Sequence, residues 1–327
     1  MEVLVTGGAG FIGSHLVEGL LGSGHRVRVL DDFATGRADN LRHLTARVEL
    51  LEATILDPQA LRRAMEGIEV VFHEAAIPSV PRSVRNPILS NEVNITGTLN
   101  VLVAARDAGI RRLVYAASSS AYGSTPGKAR VESMPARPLS PYAVAKLAGE
   151  HYCQVFARIH NLETVCLRYF NVFGPRQDPH SEYAAVIPKF ITALLGSRPL
   201  TIYGDGTQSR DFTYVGNVVA ANLLAMQAPG VSGEMFNVGC GQPTSLNELA
   251  RQLGRIAGIE PQITYLPARS GDVPHSLADV SKARSLLGYE PAVSLTIGLR
   301  RTWECFASQG TQAPRPAAWR SAAVAAP

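Results

Sequence analysis

Thr6-Gly7-Gly8-Ala9-Gly10-Phe11-Ile12-Gly13-Ser14-His15-Leu16 is the stretch on which the reading of this chain turns. A β-branched run, Val3–Thr6, leads into it and a helical pattern leaves it. The spacing Gly7-x-x-Gly10-x-x-Gly13 suits a dinucleotide: the first glycine allows a tight turn, the second lets backbone approach a pyrophosphate, the third lets helix and strand pack closely. The start of a helix adds free N–H groups and the positive end of a dipole. Without a strand before and a helix after, the same glycines would be an ordinary turn. Asp31 and Asp32 close the next apolar run, 18 residues after Gly13. A carboxylate there accepts from a ribose 2′-hydroxyl and repels a 2′-phosphate, which predicts NAD rather than NADP. The alternative is that the two acids only begin a turn.

Outward from this loop, short apolar runs alternate with helical patterns. Val3–Thr6, Arg26–Leu30, Val48–Leu51, Val70–Ala75, Leu113–Ala117 and Thr164–Tyr169 read as strands, and their near-continuous apolar character predicts burial on both faces, as in a parallel sheet. Helices are expected around Leu16–Leu21, Gln59–Met65, Asn94–Ala108 and Pro141–His160. This order predicts an α/β fold, a Rossmann-type doubly wound parallel sheet spanning residues 1–170. In the second half, strands Leu200–Tyr203, Met235–Val238 and Ile263–Leu266 mix with helices Val186–Leu195, Asn217–Ala228, Leu246–Ala257 and Leu295–Phe306. Residues 171–307 are therefore expected to form mainly a smaller C-terminal α+β substrate-binding lobe, with later segments returning to the first unit. From Ser308 to Pro327 the Ala, Pro, Gly, Gln and Ser content predicts a disordered tail.

Composition narrows the function. Of 327 residues, 46% are hydrophobic and 18% charged, enough apolar residue for a core. No apolar run is long enough to span a bilayer, and the N-terminus lacks a signal-peptide pattern, so a cytoplasmic protein without membrane attachment is expected. The net charge of +4 comes with no basic stripe, which argues against nucleic acid as a partner. The four cysteines form no C-x-x-C pair, the eight histidines show no metal spacing, and no metal is expected. Lysine is scarce: Lys128, Lys146, Lys189 and Lys282 only.

Tyr142 and Lys146 stand four residues apart in a helical stretch, hence on one face. An ammonium beside a phenol favours the phenolate, and such a pair can exchange a proton with an alcohol while NAD exchanges a hydride. Alone, this spacing is as well explained by an exposed helix pair. Ser118, at the end of the fifth strand and 24 residues before Tyr142, adds a hydroxyl at the same sheet edge. Ser120 reads as a plain turn residue.

Together, Gly7, Gly10, Gly13, Asp31, Ser118, Tyr142 and Lys146 resemble the extended short-chain dehydrogenase/reductase superfamily. Leu167-Arg168-Tyr169-Phe170-Asn171-Val172-Phe173-Gly174-Pro175-Arg176, Ser209-Arg210-Asp211-Phe212 and Gly271-Asp272-Val273 before His275-Ser276 resemble its nucleotide-sugar epimerase/dehydratase branch, over roughly Glu2 to Phe306. The group most resembled is the UDP-N-acetylglucosamine/UDP-glucose 4-epimerases. The resemblance implies Ser118, Tyr142 and Lys146 as catalytic. It implies that Gly7, Gly10, Phe11, Ile12, Gly13, Asp31, Asp32, Thr54, Ile55, Ala75, Ala76, Tyr142, Lys146 and Tyr169 contact NAD. It implies that Asn171 touches a UDP pyrophosphate, that Arg210 and Arg269 pair with its phosphates, that Tyr203 lies by uracil and that Asp272 accepts from the ribose. Ser79, Ser119, Ala185, Val186, Lys189, Thr201 and Ser276 complete the implied substrate contacts. Two positions depart from the pattern: Thr54 stands where the family has an Asp that contacts adenine, which predicts looser cofactor retention, and Pro78 stands near the sugar.

Related dehydratases carry an acid after the strand-five hydroxyl, where this chain has Ser119, Ser120 and Ala121. That leaves reversible 4-epimerisation of a UDP-hexose as the expected reaction. In the resembled family the position of Ser276 lines the sugar pocket, so a small residue there implies UDP-N-acetylglucosamine/UDP-N-acetylgalactosamine, with UDP-glucose/UDP-galactose also accepted. An epimerase restricted to UDP-glucose, a dehydratase or dehydrogenase on the same sugars, and an NAD-sensing regulator without chemistry are the competing readings. The resemblance also implies a homodimer joined through about Asn94–Ala108 and Pro141–His160.

Overall fold

A computed structural model describes residues 1–123, 125, 129–179, 185–268 and 273–310. Strands β1 (Glu2–Thr6), β2 (Arg26–Asp31), β3 (Val48–Glu52), β4 (Val70–His73), β5 (Arg112–Ser118) and β6 (Glu163–Tyr169) come from the first half of the chain. The short strands β7 (Val172–Phe173), β8 (Leu200–Tyr203), β9 (Ser209–Asp211) and β10 (Thr213–Tyr214) precede β11 (Glu234–Val238). β11 pairs in parallel with β6 and completes a seven-stranded sheet of order β11-β6-β5-β4-β1-β2-β3. The stretch Met235–Val238, read from sequence as part of the second-half mixture, is thus a strand of the main sheet. Strand order reverses between β1 and β4, and ligands of open α/β sheets bind at the carboxyl ends of strands flanking such a point.

Alternation along β1 divides two cores. Val3 and Val5 face one layer with Leu16, Val17 and Leu20 of α1 (Phe11–Gly22). Leu4 faces the other, with Leu61 and Ala64 of α2 (Pro58–Met65). Asp57 caps α2 by accepting from the Gln59 and Ala60 N–H groups, with Pro58 in the first turn. β3 is an exception to the expected burial on both faces. Only β2 pairs with it, and Glu49, Leu50 and Glu52 are exposed.

Beyond β4 come two short helices not foreseen in the sequence, α3 (Val80–Arg85) and α4 (Pro87–Asn91). The helix expected over Asn94–Ala108 begins as a π-helical turn, Glu92–Gly97, and becomes α-helical only in α5 (Thr98–Asp107). Asn94 in that turn bonds both Ile77 backbone groups, its Oδ1 accepting at 2.7 Å and its Nδ2 donating at 3.0 Å. Helix α6 (Pro141–Ile159) covers β5 and β6 and is capped by the Ser140 hydroxyl. A third core joins α7 (Val186–Leu195), β8 and the start of α8 (Val215–Gln227) to α9 (Leu246–Ala257). The remaining elements are β12 (Pro243–Ser245), β13 (Ile263–Leu266), β14 (His275–Ser276), α10 (Ser281–Leu287) and α11 (Leu295–Gly310). α11 runs to Gly310, so the first residues of the tail expected from Ser308 are helical, and the rest of it, residues 311–327, lies outside the described residues. Among the described residues no helix is long and apolar enough to cross a membrane.

Candidate active site

The glycine turn leaves no room for side chains. Gly7 has φ +71°, and a Cβ there would sit 2.6 Å from the Ala75 nitrogen. A Cβ on Gly13 would sit 2.1 Å from the Gly7 carbonyl oxygen. The carboxylate of Asp31 accepts from the Ala9 and Phe33 N–H groups, each at 2.8 Å, tying the loop to the end of β2. Burial pushes the Asp31 carboxyl up, against those two bonds. Each carboxylate oxygen has a second lone pair, so capacity for a ribose hydroxyl remains. Asp32 is exposed and accepts from the Ala34 N–H at 3.0 Å, the turn-starting role held as its alternative. Gly10 caps α1, placing the first N–H groups of Phe11, Ile12 and Gly13 at a helix start. These features fit a dinucleotide pyrophosphate.

Around this cradle, Ala75 donates weakly to the Thr6 hydroxyl at 3.4 Å, and Ala76 follows it half-buried. The Thr54 hydroxyl accepts from the Leu56 N–H at 3.3 Å. Ile55 is buried against Gly97, where a Cβ would meet its Cδ1 at 2.6 Å.

Tyr142 and Lys146 lie on the face of α6 turned toward β5. Lys146 Nζ donates to the Ala116 carbonyl at 2.7 Å and sits 5.0 Å from the Tyr115 ring centre. The Ser118 hydroxyl is a neighbour of the Tyr142 hydroxyl. Ser118 Oγ in turn accepts from the Ser120 hydroxyl at 2.9 Å and the Ser120 N–H at 3.2 Å. Ser120 is therefore bound to the reactive cluster rather than being a plain turn residue. Burial pushes the Tyr142 phenol up to about 12; the nearby Ser118 hydroxyl opposes this and the negative charge of Glu74 adds to it. Burial also pulls the Lys146 ammonium down to about 8, against the attraction of Glu74 and Glu150. The proton of Lys146 is thus weakly held.

Glu74 was not singled out in the sequence; its signal there is an acid inside the apolar run Val70–Ala75, and the strand itself ends at His73. Its Oε1 accepts from the Tyr169 hydroxyl at 2.6 Å, and that hydroxyl accepts from Asn222 Nδ2 at 2.8 Å. Desolvation pushes the Glu74 carboxyl up to about 7, opposed by the Tyr169 bond and by Lys146. His73 is buried between the hydroxyls of Thr6 at 2.7 Å and Thr98 at 2.9 Å.

β5 and β6 end in register, Ser118 opposite Tyr169, and the chain continues from Tyr169 to Asn171. Asn171 opens a cavity of about 730 Å³. Ala185, Val186, Lys189, Thr201, Tyr203 and Arg210 also line it, so seven of the expected substrate residues converge on one space. Gln208, Arg198 and Phe212 line it as well and were not foreseen. Ser276 lies outside the lining but pairs in register with Arg210. Ser79, with φ +92°, caps α3, whose Ser83 hydroxyl accepts from the Tyr142 N–H at 3.0 Å. Ser119 follows Ser118 in a 3-10 turn. Arg269 and Asp272 lie outside the described residues.

A doubly wound sheet with a glycine cradle and a Tyr–Lys pair at its carboxyl edge defines a nucleotide-dependent short-chain enzyme fold. The sequence profile of the NAD-dependent epimerase/dehydratase family matches residues 3–239, and the chain belongs to this family, with NAD as its cofactor. It is 42% identical over 310 residues to a UDP-glucose 4-epimerase of Mycolicibacterium smegmatis, covering 94% of this chain and 98% of that one. A UDP-glucose 4-epimerase of Thermotoga maritima solved with UDP-glucose superposes with TM-score 0.90 at 40% identity, covering 94% and 99%. A UDP-N-acetylglucosamine 4-epimerase of Methanobrevibacter ruminantium, solved with UDP-N-acetylmuramic acid, also reaches 0.90, at 38% identity, covering 94% and 98%.

Proposed function

We propose that this protein interconverts the C4 epimers of a UDP-hexose, UDP-N-acetylglucosamine/UDP-N-acetylgalactosamine first and UDP-glucose/UDP-galactose as well. The observation carrying this reading is the register that sets Ser118 opposite Tyr169, two residues before Asn171 of the cavity, with Tyr142 and Lys146 on the helix that covers the same strands. Tyr142 takes the proton of the sugar C4 hydroxyl and later returns it. Ser118 holds that hydroxyl against Tyr142, and Lys146 favours the phenolate as long as it carries charge. NAD, held by the glycine cradle and Asp31, supplies the hydride acceptor and donor at C4. The 4-keto sugar turns over between the two transfers, so no oxidant is consumed.

Asn171, Arg210 and Arg269 hold the diphosphate, for which arginine's planar fork is suited, and Tyr203 and Asp272 hold the uridine. The small side chains of Ala185 and Ser276 leave space for a 2-acetamido group. Residues 1–170 form the NAD unit, joined by later segments, and 171–307 mainly the sugar unit. The protein acts in the cytoplasm as a homodimer. Exposed apolar residues on α3, α4 and α6, among them Val84, Ile88, Val144 and Ile159, support that assembly.

The test is a proton NMR time course of UDP-N-acetylglucosamine, then UDP-glucose, with purified protein and no added cofactor. Anomeric signals of the galacto epimer approaching a fixed ratio are expected with both. A change of sugar mass, or net NADH, would replace this reading with a dehydratase or dehydrogenase. No change with either sugar, even with added NAD, would overturn it.

A further inference from the structure

Of the run Ser209-Arg210-Asp211-Phe212, one residue has no part in the proposed chemistry. Arg210 and Phe212 line the cavity. Alternation along β9 turns Asp211 to the other side, where it is sealed from solvent. A carboxylate taken out of water persists only where donors surround it. Three backbone N–H groups do so: Cys240 donates to Oδ1 at 2.8 Å, and Gly241 and Ala278 donate to Oδ2 at 2.9 and 3.1 Å. The fit is close, since a Cβ on Gly239 would lie 2.8 Å from Oδ2. The main chain of Asp211 takes part as well, its carbonyl accepting from Asn171 Nδ2 at 3.2 Å.

The donors come from two parts of the molecule. Residues 239–241 continue β11 and are fixed to the main sheet. The Phe170 N–H donates to the Val238 carbonyl at 3.0 Å, and the Tyr289 hydroxyl to the Gly239 carbonyl at 2.9 Å. Ala278 follows β14 by two residues, and β14 pairs with β9. β9, β12 and β14 form a separate sheet whose strands have only two or three residues. So short a ladder does not hold itself in place. We infer that Asp211 is a positioning residue for the nucleotide-sugar: its carboxylate clamps the β9–β14 pair, which carries Arg210 and Ser276, onto the end of β11, while its carbonyl steadies Asn171. Three side chains from distant parts of the sequence are thereby set against one another, and against the main sheet, through one buried residue.

The inference rests on the reading of the cavity as the UDP-sugar site. Asparagine at this position carries no charge and has one acceptor oxygen, and its amide turns a donor toward a backbone N–H. In Asp211→Asn, KM for the UDP-sugar and the Kd of UDP by calorimetry should both rise about tenfold or more, the worth of one lost bond to a charged group. The diphosphate is held alike before and during hydride transfer, so kcat should stay within about twofold. The Kd of NAD should not move. A second measurement needs no variant. Cys240, Gly241 and Ala278 do not line the cavity. Because coupling is reciprocal, saturating UDP should slow amide exchange at these three positions in the wild-type protein more than along β1.

Unchanged KM and UDP affinity in Asp211→Asn overturn the inference, as does a loss of kcat or NAD affinity without them. If Asp211→Asn does not fold, exchange decides, and equal slowing at the three amides and along β1 overturns it. In either case a wild-type protein that binds UDP and epimerises its sugar keeps the cavity reading, and only Asp211 is released from it. A wild-type protein that does not bind UDP removes both together.

Discussion

Two buried acid–base pairs lie side by side in this molecule and behave in opposite ways. Glu150 and Arg168 are nearly sealed from solvent and bound through two parallel contacts, with the guanidinium 4.5 Å from the Tyr122 ring centre. Each partner holds the other's charge, and the Glu150 contact drives the Arg168 pKa upward against its burial. Glu74 and Lys146 share a Coulombic field, and burial drives their pKa values toward each other. A planar fork meeting a carboxylate face-on locks a pair, whereas a point charge on a flexible stem is left able to exchange its proton. The first arrangement fixes α6 to β6. The second leaves titratable groups beside the reactive tyrosine on that same helix.

The largest effect is expected from removing the reactive hydroxyl. Tyr142→Phe should lower kcat by about 10²–10⁴-fold in steady-state turnover while leaving the urea midpoint close to wild type. The locked pair should answer in the reverse sense. Glu150→Ala leaves the Arg168 charge buried without its partner and should cost about 3–5 kcal/mol by chemical denaturation. Glu74→Gln should cost far less; equal losses would erase the distinction between the pairs.

Two histidines, His73 and His15, give a smaller, pH-dependent contrast. Burial lowers His73 to about 3 and His15 to about 4, so below pH 6.5 the unfolded chain binds protons that the folded one refuses. Stability should therefore fall as pH drops from 6.5 toward 4, by roughly 1.4 kcal/mol per unit for each histidine. His73→Gln should flatten part of that slope in urea titrations.

The finest distinction is the titration of the open pair itself. The Glu74 carboxyl is raised from 4.5 to about 7 on folding, so its contribution to stability diminishes as pH rises across that window. The Lys146 ammonium is lowered from 10.5 to about 8, so stability recovers between 8 and 10.5. Wild type minus the Glu74→Gln/Lys146→Met double variant should show a shallow minimum between pH 7 and 8. A flat difference would mean that this pair is as locked as the other.

What the sequence disclosed was what neighbours along the chain encode. The glycine spacing, the end of β2 and the four-residue step from Tyr142 to Lys146 are local, and the first six strands are legible from their apolar runs. Glu74 was not legible, because its meaning comes from Tyr169, 95 residues away, and from Asn222 on α8. The place of β11 was hidden for the same reason: a buried apolar run names a strand but not its partner. The exposure of β3 follows from having a single neighbour, which composition does not record. Ser120 looked like a turn residue because its bond to Ser118 depends on the local 3-10 geometry.

The late arrival of β11 bears on how the chain is built. β6 ends at Tyr169, yet the strand that covers its edge begins at Glu234. Until that segment has been synthesised, a growing chain carries β6 as an open edge able to pair with a wrong strand. Buried Arg112 on β5 reaches across to the carbonyls of Ala225 and Ala228 at the end of α8, both at 2.8 Å. It fastens the sheet to the helix that delivers its last strand. Fragments ending between residues 170 and 233 should therefore aggregate during expression, and the shortest soluble piece should extend beyond Val238.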